Sequence, residues 1–226
     1  LSLKINESSA RLFSISFPFP LSSNDKCMRL SHSENSIFVL SVGLLISLAY
    51  NSYASSLDIE SVSLFTAKSF NIFSGMNFLH RNGIVPDVIA GDFDSVASES
   101  LACFSGMSEV EMLRLNPIKD DTDTEFVIRE AIRRGAKEIT VLGATGTRLD
   151  HVLANVNLLG IGLEENVSIE LVDKHNRIRM VDGSLEIKKI EQFGSFVSVL
   201  PVKGDAKGVT LEGMKYPLKD ADIACF

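Results

Sequence analysis

The chain has 226 residues, of which 45% are hydrophobic and 23% are charged, and its formal net charge is −7 at pH 7. This composition fits one large or two small packed domains and argues against a disordered chain. The whole charge imbalance lies in residues 92–125, where nine acidic side chains meet two basic ones; the rest of the chain is neutral. Such a window disfavours nucleic-acid binding, which needs a basic face. It leaves two alternatives, a solvated acidic surface or a cation site.

Two features bear on the compartment. The three cysteines, Cys27, Cys103 and Cys225, lie far apart with no CxxC spacing, which predicts reduced thiols in a cytoplasmic protein. The apolar run at residues 37–49 is shorter than the about 20 residues that span a bilayer, and 36 mixed residues precede it. We therefore predict a buried core segment there, with a membrane anchor as the alternative.

In chain order, residues 1–36 show no sustained period, and no element is predicted for them. Apolar runs predict buried strands at residues 88–90, 138–142 and 167–172, the first two ending at glycines. Helical spacing predicts helices at residues 123–134 and 149–159, the first capped by Thr122 or Asp123 and stopped by Gly135.

Alternating strands and helices predict a parallel sheet. Ligands bind beyond the carboxyl ends of such strands, so the segments after Gly91 and Gly143 should share one edge. After residue 176, short runs at 177–181, 184–190, 195–200 and 208–211 predict an antiparallel meander or sandwich. The expected division is a poorly defined segment 1–36, an α/β domain 37–175 and a β domain 176–226.

Acidic residues form two motifs at the predicted edge. Asp92 and Asp94 follow a buried strand, although an isolated DxD motif is often only a polar loop. Asp120, Asp121 and Asp123 surround Thr122 at a helix start. Acids there complement the helix dipole, but three aspartates in four residues repel one another unless a cation compensates. Together the two motifs favour Mg²⁺, which prefers oxygen ligands.

A third motif follows the strand at 138–142. It is a glycine-bearing loop whose backbone N–H groups can face an anion, with Arg148 as a fork for phosphate oxygens. A histidine at a helix start is more often structural than catalytic, which is the first interpretation of His151. The motif comprises Gly143, Ala144, Thr145, Gly146, Thr147, Arg148, Leu149, Asp150 and His151, with Asn155 one turn later. An acidic edge beside this loop suits Mg²⁺ bridging a nucleotide polyphosphate.

These motifs resemble thiamine pyrophosphokinases in order and spacing across residues 75–220. The resemblance rests on four stretches: residues 83–95, residues 119–125, residues 143–155 and a late segment at 208–218. It implies a Rossmann-like α/β catalytic domain followed by a small β-sandwich domain. It also implies a homodimer that binds thiamine and ATP, moves a diphosphate from ATP to the thiamine hydroxyl and releases AMP.

The resemblance also implies roles for single residues. Asp92, Asp94 and Asp123 match the Mg²⁺ ligands, with Asp120, Asp121 and Thr122 beside them. Phosphate contacts fall on Arg148 and on the loop of Gly143, Thr145 and Gly146. Asp150 is the candidate to orient or deprotonate the hydroxyl. His151 and Asn155 match the motif, and we expect them to serve the helix start before the chemistry.

The chain also departs from the family. Phe73 stands where an acid is expected, residues 1–70 match poorly, and the chain stops before the family's last strands, so the β domain looks truncated. We therefore expect weak or no activity. Two other functions remain open: another Mg²⁺-dependent phosphohydrolase or transferase acting on nucleotides or sugar phosphates, and a non-catalytic remnant that binds nucleotide or thiamine.

Overall fold

A computed structural model describes residues 2–5, 11–17, 36–40, 68–72, 75–91, 98–115 and 122–226. These residues form two compact units, one of Leu1–Asn24 with His175–Phe226, the other of Asp25–Lys174. The expected boundary after residue 175 lies one residue from this division, which also groups the first 24 residues with the C-terminal strands. No helix in the described ranges combines the length and the apolarity needed to cross a membrane.

The larger unit is a parallel α/β domain. Its strands are β3 (Ser36–Leu40), β4 (Lys68–Ile72), β5 (Val88–Gly91), β6 (Glu111–Arg114), β7 (Glu138–Leu142) and β8 (Ser168–Val172). Its helices are α1 (Met76–Asn82), α2 (Ser98–Ser105), α3 (Asp123–Arg133) and α4 (Leu149–Glu165). The sheet order is β8-β7-β3-β4-β5-β6, and every neighbouring pair is parallel. The prediction of a parallel α/β sheet is confirmed.

The strand order places a topological switch point between β3 and β7. The chain runs outward from β3 to β6 and then returns to β7 on the other side of β3. In parallel sheets of this kind, ligands bind beyond the carboxyl ends of the strands at a switch point. The loop after β7 begins at this point. Strands β5 and β7 are three strand positions apart in the sheet, or about 14 Å; the residues that follow Gly91 lie outside the described part of the chain.

Helices α3 and α4 are held against the sheet by different means. Val127, Ile128 and Ala131 of α3 are fully buried, and burying a valine or isoleucine stabilises by about 1.5–3 kcal/mol. In α4, a Cβ on Gly162 would lie 2.5 Å from the carbonyl oxygen of Val167. Only glycine permits that approach to the start of β8, and it fixes the helix that begins at Leu149.

The buried face of α4 differs from the prediction. Apolar residues from Leu149 to Leu159 were expected to form one core stripe, but Leu149 is 69% and Leu153 is 55% exposed. Burial begins near Leu159 and continues through Gly162. The helix also extends six residues past the predicted end, to Glu165.

The smaller unit is built from antiparallel strands. They are β1 (Ser2–Ile5), β2 (Arg11–Phe17), β9 (Arg177–Val181), β10 (Leu185–Glu186), β11 (Phe196–Val202), β12 (Ala206–Glu212) and β13 (Leu218–Ile223). A four-stranded sheet has the order β10-β1-β12-β13, and β2 pairs with both β9 and β11. Its core is formed by Leu3, Val181, Ala206, Val209 and Leu211.

Two predictions about this unit are wrong. Residues 1–36 were assigned no element, yet the structure has strands β1 and β2 there. Their pairing partners lie far along the chain, and such contacts leave no local signature. The strand expected at 184–190 is reduced to Leu185–Glu186, followed by a short 3-10 helix at Lys189–Glu191. In the four-stranded sheet, strand β12 pairs with β1 on one side and with β13 on the other.

Candidate functional site

The candidate site is the loop that joins β7 to α4 at the switch point. Strand β7 ends at Leu142 because Gly143 turns the chain with φ 73°, in the left-handed region that favours glycine. The next residue, Ala144, is 4% exposed, whereas Thr147 and Arg148 are exposed. The loop therefore has a buried base against the sheet and an exposed tip.

Two hydrogen bonds hold the base of this loop. The side-chain amide of Asn155, on α4, donates from Nδ2 to the carbonyl oxygen of Ala144 at 2.9 Å. The hydroxyl of Thr145 donates to Oδ2 of Asp173, the residue that follows β8. Asn155 thus serves the loop rather than the helix start alone. Asp173 was not among the sequence candidates, although an acid immediately after a buried parallel strand was the signal used for Asp92.

The tip of the loop has an ion pair between two predicted site residues. Arg148 donates from Nη2 to Oδ2 of Asp150 at 2.6 Å and from Nε to Oδ1 at 3.3 Å. This hydrogen bond holds the pKa of Asp150 below its ordinary value of 3.8 and raises that of Arg148. Both side chains remain about two-thirds exposed, so a ligand can reach them. A carboxylate with a lowered pKa is a weak base, which favours orientation over proton abstraction by Asp150.

The predicted helix beginning at Asp123 is confirmed. Thr122 is its N-cap, and its hydroxyl accepts a hydrogen bond from the backbone N–H of Glu125 at 3.2 Å. A cap of this kind stabilises by about 1 kcal/mol, and it fixes Asp123 in the first turn. Strands β5 and β6, which precede the two acidic motifs in the chain, are parallel neighbours in the sheet.

Of the three predicted metal ligands, Asp92 and Asp94 lie outside the described residues, as do the neighbouring Asp120 and Asp121. Among the residues the structure does describe, no group of three or more acidic, histidine or cysteine side chains is close enough to hold a metal. Asp123 is the one described member of the set. The carboxylate oxygens of the predicted set are the kind of ligand that a hard cation such as Mg²⁺ prefers.

One acidic residue between positions 92 and 125 has a structural role that the sequence did not suggest. Glu111, one of the nine acidic residues at 92–125, receives two hydrogen bonds from Arg134 at 2.7 and 2.9 Å. Arg134 also bonds Glu130 at 2.7 Å. These contacts tie the end of α3 to the start of β6, and so help to set the position of Asp123 at the other end of that helix.

Together, the fold and the loop define a parallel α/β unit with a glycine-bearing loop at the switch point of its sheet, and a small antiparallel β unit. Comparison with known families is more specific. The description "Thiamin pyrophosphokinase, catalytic domain" matches residues 69–171, and "Thiamin pyrophosphokinase, vitamin B1 binding domain" matches residues 184–225. The chain belongs to the thiamin pyrophosphokinase family.

Individual relatives agree with this assignment. Thiamine pyrophosphokinase of Bacillus subtilis is 34% identical over 142 residues, covering 62% of this chain and 65% of that protein. Thiamine pyrophosphokinase 1 of Oryza sativa is 28% identical over 153 residues, covering 62% and 55%. The matched stretch thus spans less than two thirds of either relative's length.

Solved structures support the fold. The crystal structure of the Bacillus subtilis thiamine pyrophosphokinase superposes with a TM-score of 0.67 at 26% identity, covering 84% of each chain. The Geobacillus thermodenitrificans thiamin pyrophosphokinase gives 0.61 at 24% identity, covering 84% of this chain and 83% of that one. The second likeness concerns the fold alone.

Proposed function

We propose that the chain is a thiamine diphosphokinase, an enzyme that transfers a diphosphate from ATP to the hydroxyl of thiamine and releases AMP. The observation that carries the proposal is the position of the loop with Arg148. It starts at the switch point of the sheet and lies within the stretch that matches the family's catalytic domain. A unit that matches the vitamin B1 binding domain follows. Residues 37–175 would be the catalytic domain and 176–226 the thiamine domain.

The proposed mechanism assigns the loop to the phosphates. Backbone N–H groups from Gly143 to Gly146 and the guanidinium of Arg148 would bind phosphate oxygens, because both are donors and a phosphate only accepts. Asp150 would orient Arg148 and the thiamine hydroxyl. The hydroxyl oxygen attacks the β-phosphorus, its bond to that phosphorus forms, the bond to the AMP oxygen breaks, and the hydroxyl proton leaves to solvent.

Mg²⁺ is the metal that the donor set favours. Asp92, Asp94 and Asp123 would hold it, with Asp120 and Asp121 beside them, and it would neutralise charge on the transferred phosphates. Thr122 would hold Asp123 in place as the cap of α3. His151 is exposed at the start of α4, and we assign it to that helix start.

Two further parts of the proposal concern assembly and compartment. We propose a homodimer, supported by the family resemblance and by the exposed Leu149 and Leu153, and light scattering of the purified chain tests it. We propose a cytoplasmic protein, supported by Cys103 and Cys225, which are free thiols. Cys27 lies outside the described residues.

One assay tests the reaction. The chain is incubated with ATP, Mg²⁺ and thiamine, and the products are separated by chromatography. Thiamine-dependent AMP and thiamine diphosphate support the proposal, while ADP or free phosphate contradicts it and points to another phosphoryl-transfer enzyme. Weak or no activity remains a prediction, and the rate measured in this assay tests it. The phosphohydrolase or transferase alternative is less favoured, since it does not explain the match of residues 184–225 to a vitamin B1 binding domain. Binding of thiamine or nucleotide without turnover would instead favour the non-catalytic remnant.

A further inference from the structure

We propose that Asp173 is a positioning residue of the site: through Thr145 it fixes the base of the Gly143–Arg148 loop and so directs nucleotide phosphates to the tip. The role in nucleotide binding rests on the proposed function. The tether itself rests only on the geometry of the larger unit.

Asp173 and Thr145 come from neighbouring strands. Strands β7 and β8 are parallel and paired up to Leu142 and Val172. Asp173 is the first residue beyond β8, and Thr145 is the third beyond β7. The hydrogen bond between them closes the gap between the two strand ends on the side where ligands bind.

The chemistry of the two groups fixes the direction of this bond. A hydroxyl has one proton to donate, and an ionised carboxylate only accepts. Thr145 therefore donates to Asp173, and a bond to a carboxylate is stronger than one between neutral groups. A threonine whose proton is committed in this way cannot also donate it to a phosphate. Phosphate contacts of the loop are then left to backbone N–H groups and to Arg148.

The same bond divides the loop into a fixed base and an accessible tip. Gly143 turns the chain, Ala144 is bound by Asn155 at 2.9 Å, and Thr145 is bound by Asp173. The next residues lead to the exposed Thr147 and Arg148. The carboxylate of Asp173 also puts negative charge beside the Thr145 hydroxyl, which disfavours a phosphate at that side chain and leaves the backbone N–H groups and Arg148 as the favourable donors. Since small displacements of a positioning group have large kinetic costs, the tether should matter for nucleotide binding.

Four single variants and one double variant test the tether. Asp173→Ala and Thr145→Val remove it from opposite sides. Asp173→Asn keeps an acceptor oxygen, and Thr145→Ser keeps the hydroxyl, so both should restore it. Because Asp173 has further interactions, Thr145→Val isolates this bond. We expect the KM for ATP to rise about tenfold in the two removing variants, as for the loss of one charged hydrogen bond, with kcat changed less than about threefold. The double variant Asp173→Ala/Thr145→Val should have a KM for ATP no higher than that of either single variant.

A second readout does not depend on the reaction. Hydrogen exchange of the backbone amides at residues 144–148 is measured in the protein without ligand. We expect faster exchange in Asp173→Ala and Thr145→Val and exchange close to that of the wild type in the two conservative variants. Unchanged exchange in the removing variants, or additive effects in the double variant, would overturn the proposal. A wild-type protein that makes no AMP would contradict the proposed function, and the exchange data would still decide whether the tether exists.

Discussion

The guanidinium Nη2 of Arg148 lies 2.6 Å from the carboxylate Oδ2 of Asp150, at the exposed tip of the loop between β7 and α4. The two side chains that the sequence selected separately, one for phosphate and one for the thiamine hydroxyl, are therefore bonded to each other. The pair favours the ionised form of Asp150 and holds the guanidinium of Arg148 in one orientation, so a change in one side chain should affect the other.

The titration of Asp150 should produce no acidic limb in the profile of kcat/KM against pH near neutrality. The pKa of Asp150 is held below the ordinary value of 3.8 by the hydrogen bond from Arg148. The pair is therefore fully ionised above about pH 4 and is lost only as the pH falls through that lowered pKa. Between about pH 5.5 and 9, we expect Asp150→Asn to lower kcat/KM without removing any limb of the profile. An acidic limb near neutrality that disappears in Asp150→Asn would show that Asp150 is a general base.

Arg148 should be replaceable by neither alanine nor lysine. Arg148→Ala removes the charge, and Arg148→Lys keeps it but loses the planar fork that grips phosphate and carboxylate. We expect kcat/KM for ATP to fall by about 10²–10³ in Arg148→Ala, the range for losing one donor that stabilises developing charge, and by less in Arg148→Lys. Full activity of the lysine variant would mean that only the charge matters.

The contact between Asn155 and Ala144 should be important for stability. Asn155→Ala leaves the buried carbonyl of Ala144 without this donor, which costs about 1–3 kcal/mol. We expect a decrease of that size in the free energy of unfolding, measured by urea titration, together with a higher KM for ATP. Asn157→Ala, at an exposed position on the same helix, is the control and should change little. Equal effects in the two variants would contradict the role of Asn155.

The ion pairs at the end of α3 should make stability depend on pH. Hydrogen bonds from Arg133 and Arg134, against the opposing effect of burial, lower the pKa of Glu130 from 4.5 to about 2. A lowered folded pKa gives stability that is complete above about pH 4.5 and is lost as the pH falls towards 2. We expect Glu130→Gln to lower the free energy of unfolding at pH 7 by about 1.5–3 kcal/mol.

The difference in the free energy of unfolding between Glu130→Gln and wild type should become smaller as the pH falls below about 4.5. Glu125→Gln is the matched control on the same helix, because Glu125 pairs with a half-exposed Arg129 at 2.8 Å. An exposed pair of this spacing contributes no more than about 0.5 kcal/mol. If the difference in the free energy of unfolding between Glu130→Gln and wild type stays constant down to pH 3, the two arginines do not lower the pKa of Glu130.

The sequence predicts the larger unit well where local signals are sufficient. The strand Glu138–Leu142 has the predicted bounds, since its apolar run ends at Gly143. The helix that begins at Asp123 is predicted from its cap and its helical spacing. Tertiary contacts decided the rest. The exposed Leu149 and Leu153 could not be distinguished from core residues by periodicity, since burial depends on where the sheet ends.

The N-terminal strands show a different reason for failure. Phe13, Ile15 and Phe17 alternate with serines in the sequence, a period-2 signal that is short and lies among polar residues. Strand β2 pairs with β9 and β11, more than 150 residues away in the chain. No local pattern identifies such partners. Asp173 was missed for a related reason, because its partner Thr145 belongs to another loop.

The central claim is that a diphosphate, and not a single phosphate, leaves ATP. The most direct test uses ATP labelled with ³²P at the β position and, separately, at the γ position, with Mg²⁺ and thiamine. We expect both labels to appear in thiamine diphosphate in equal amounts and AMP to be unlabelled. Transfer of the γ label alone, with the β label left in ADP, would contradict this claim, as would release of either label as free phosphate without any labelled thiamine ester.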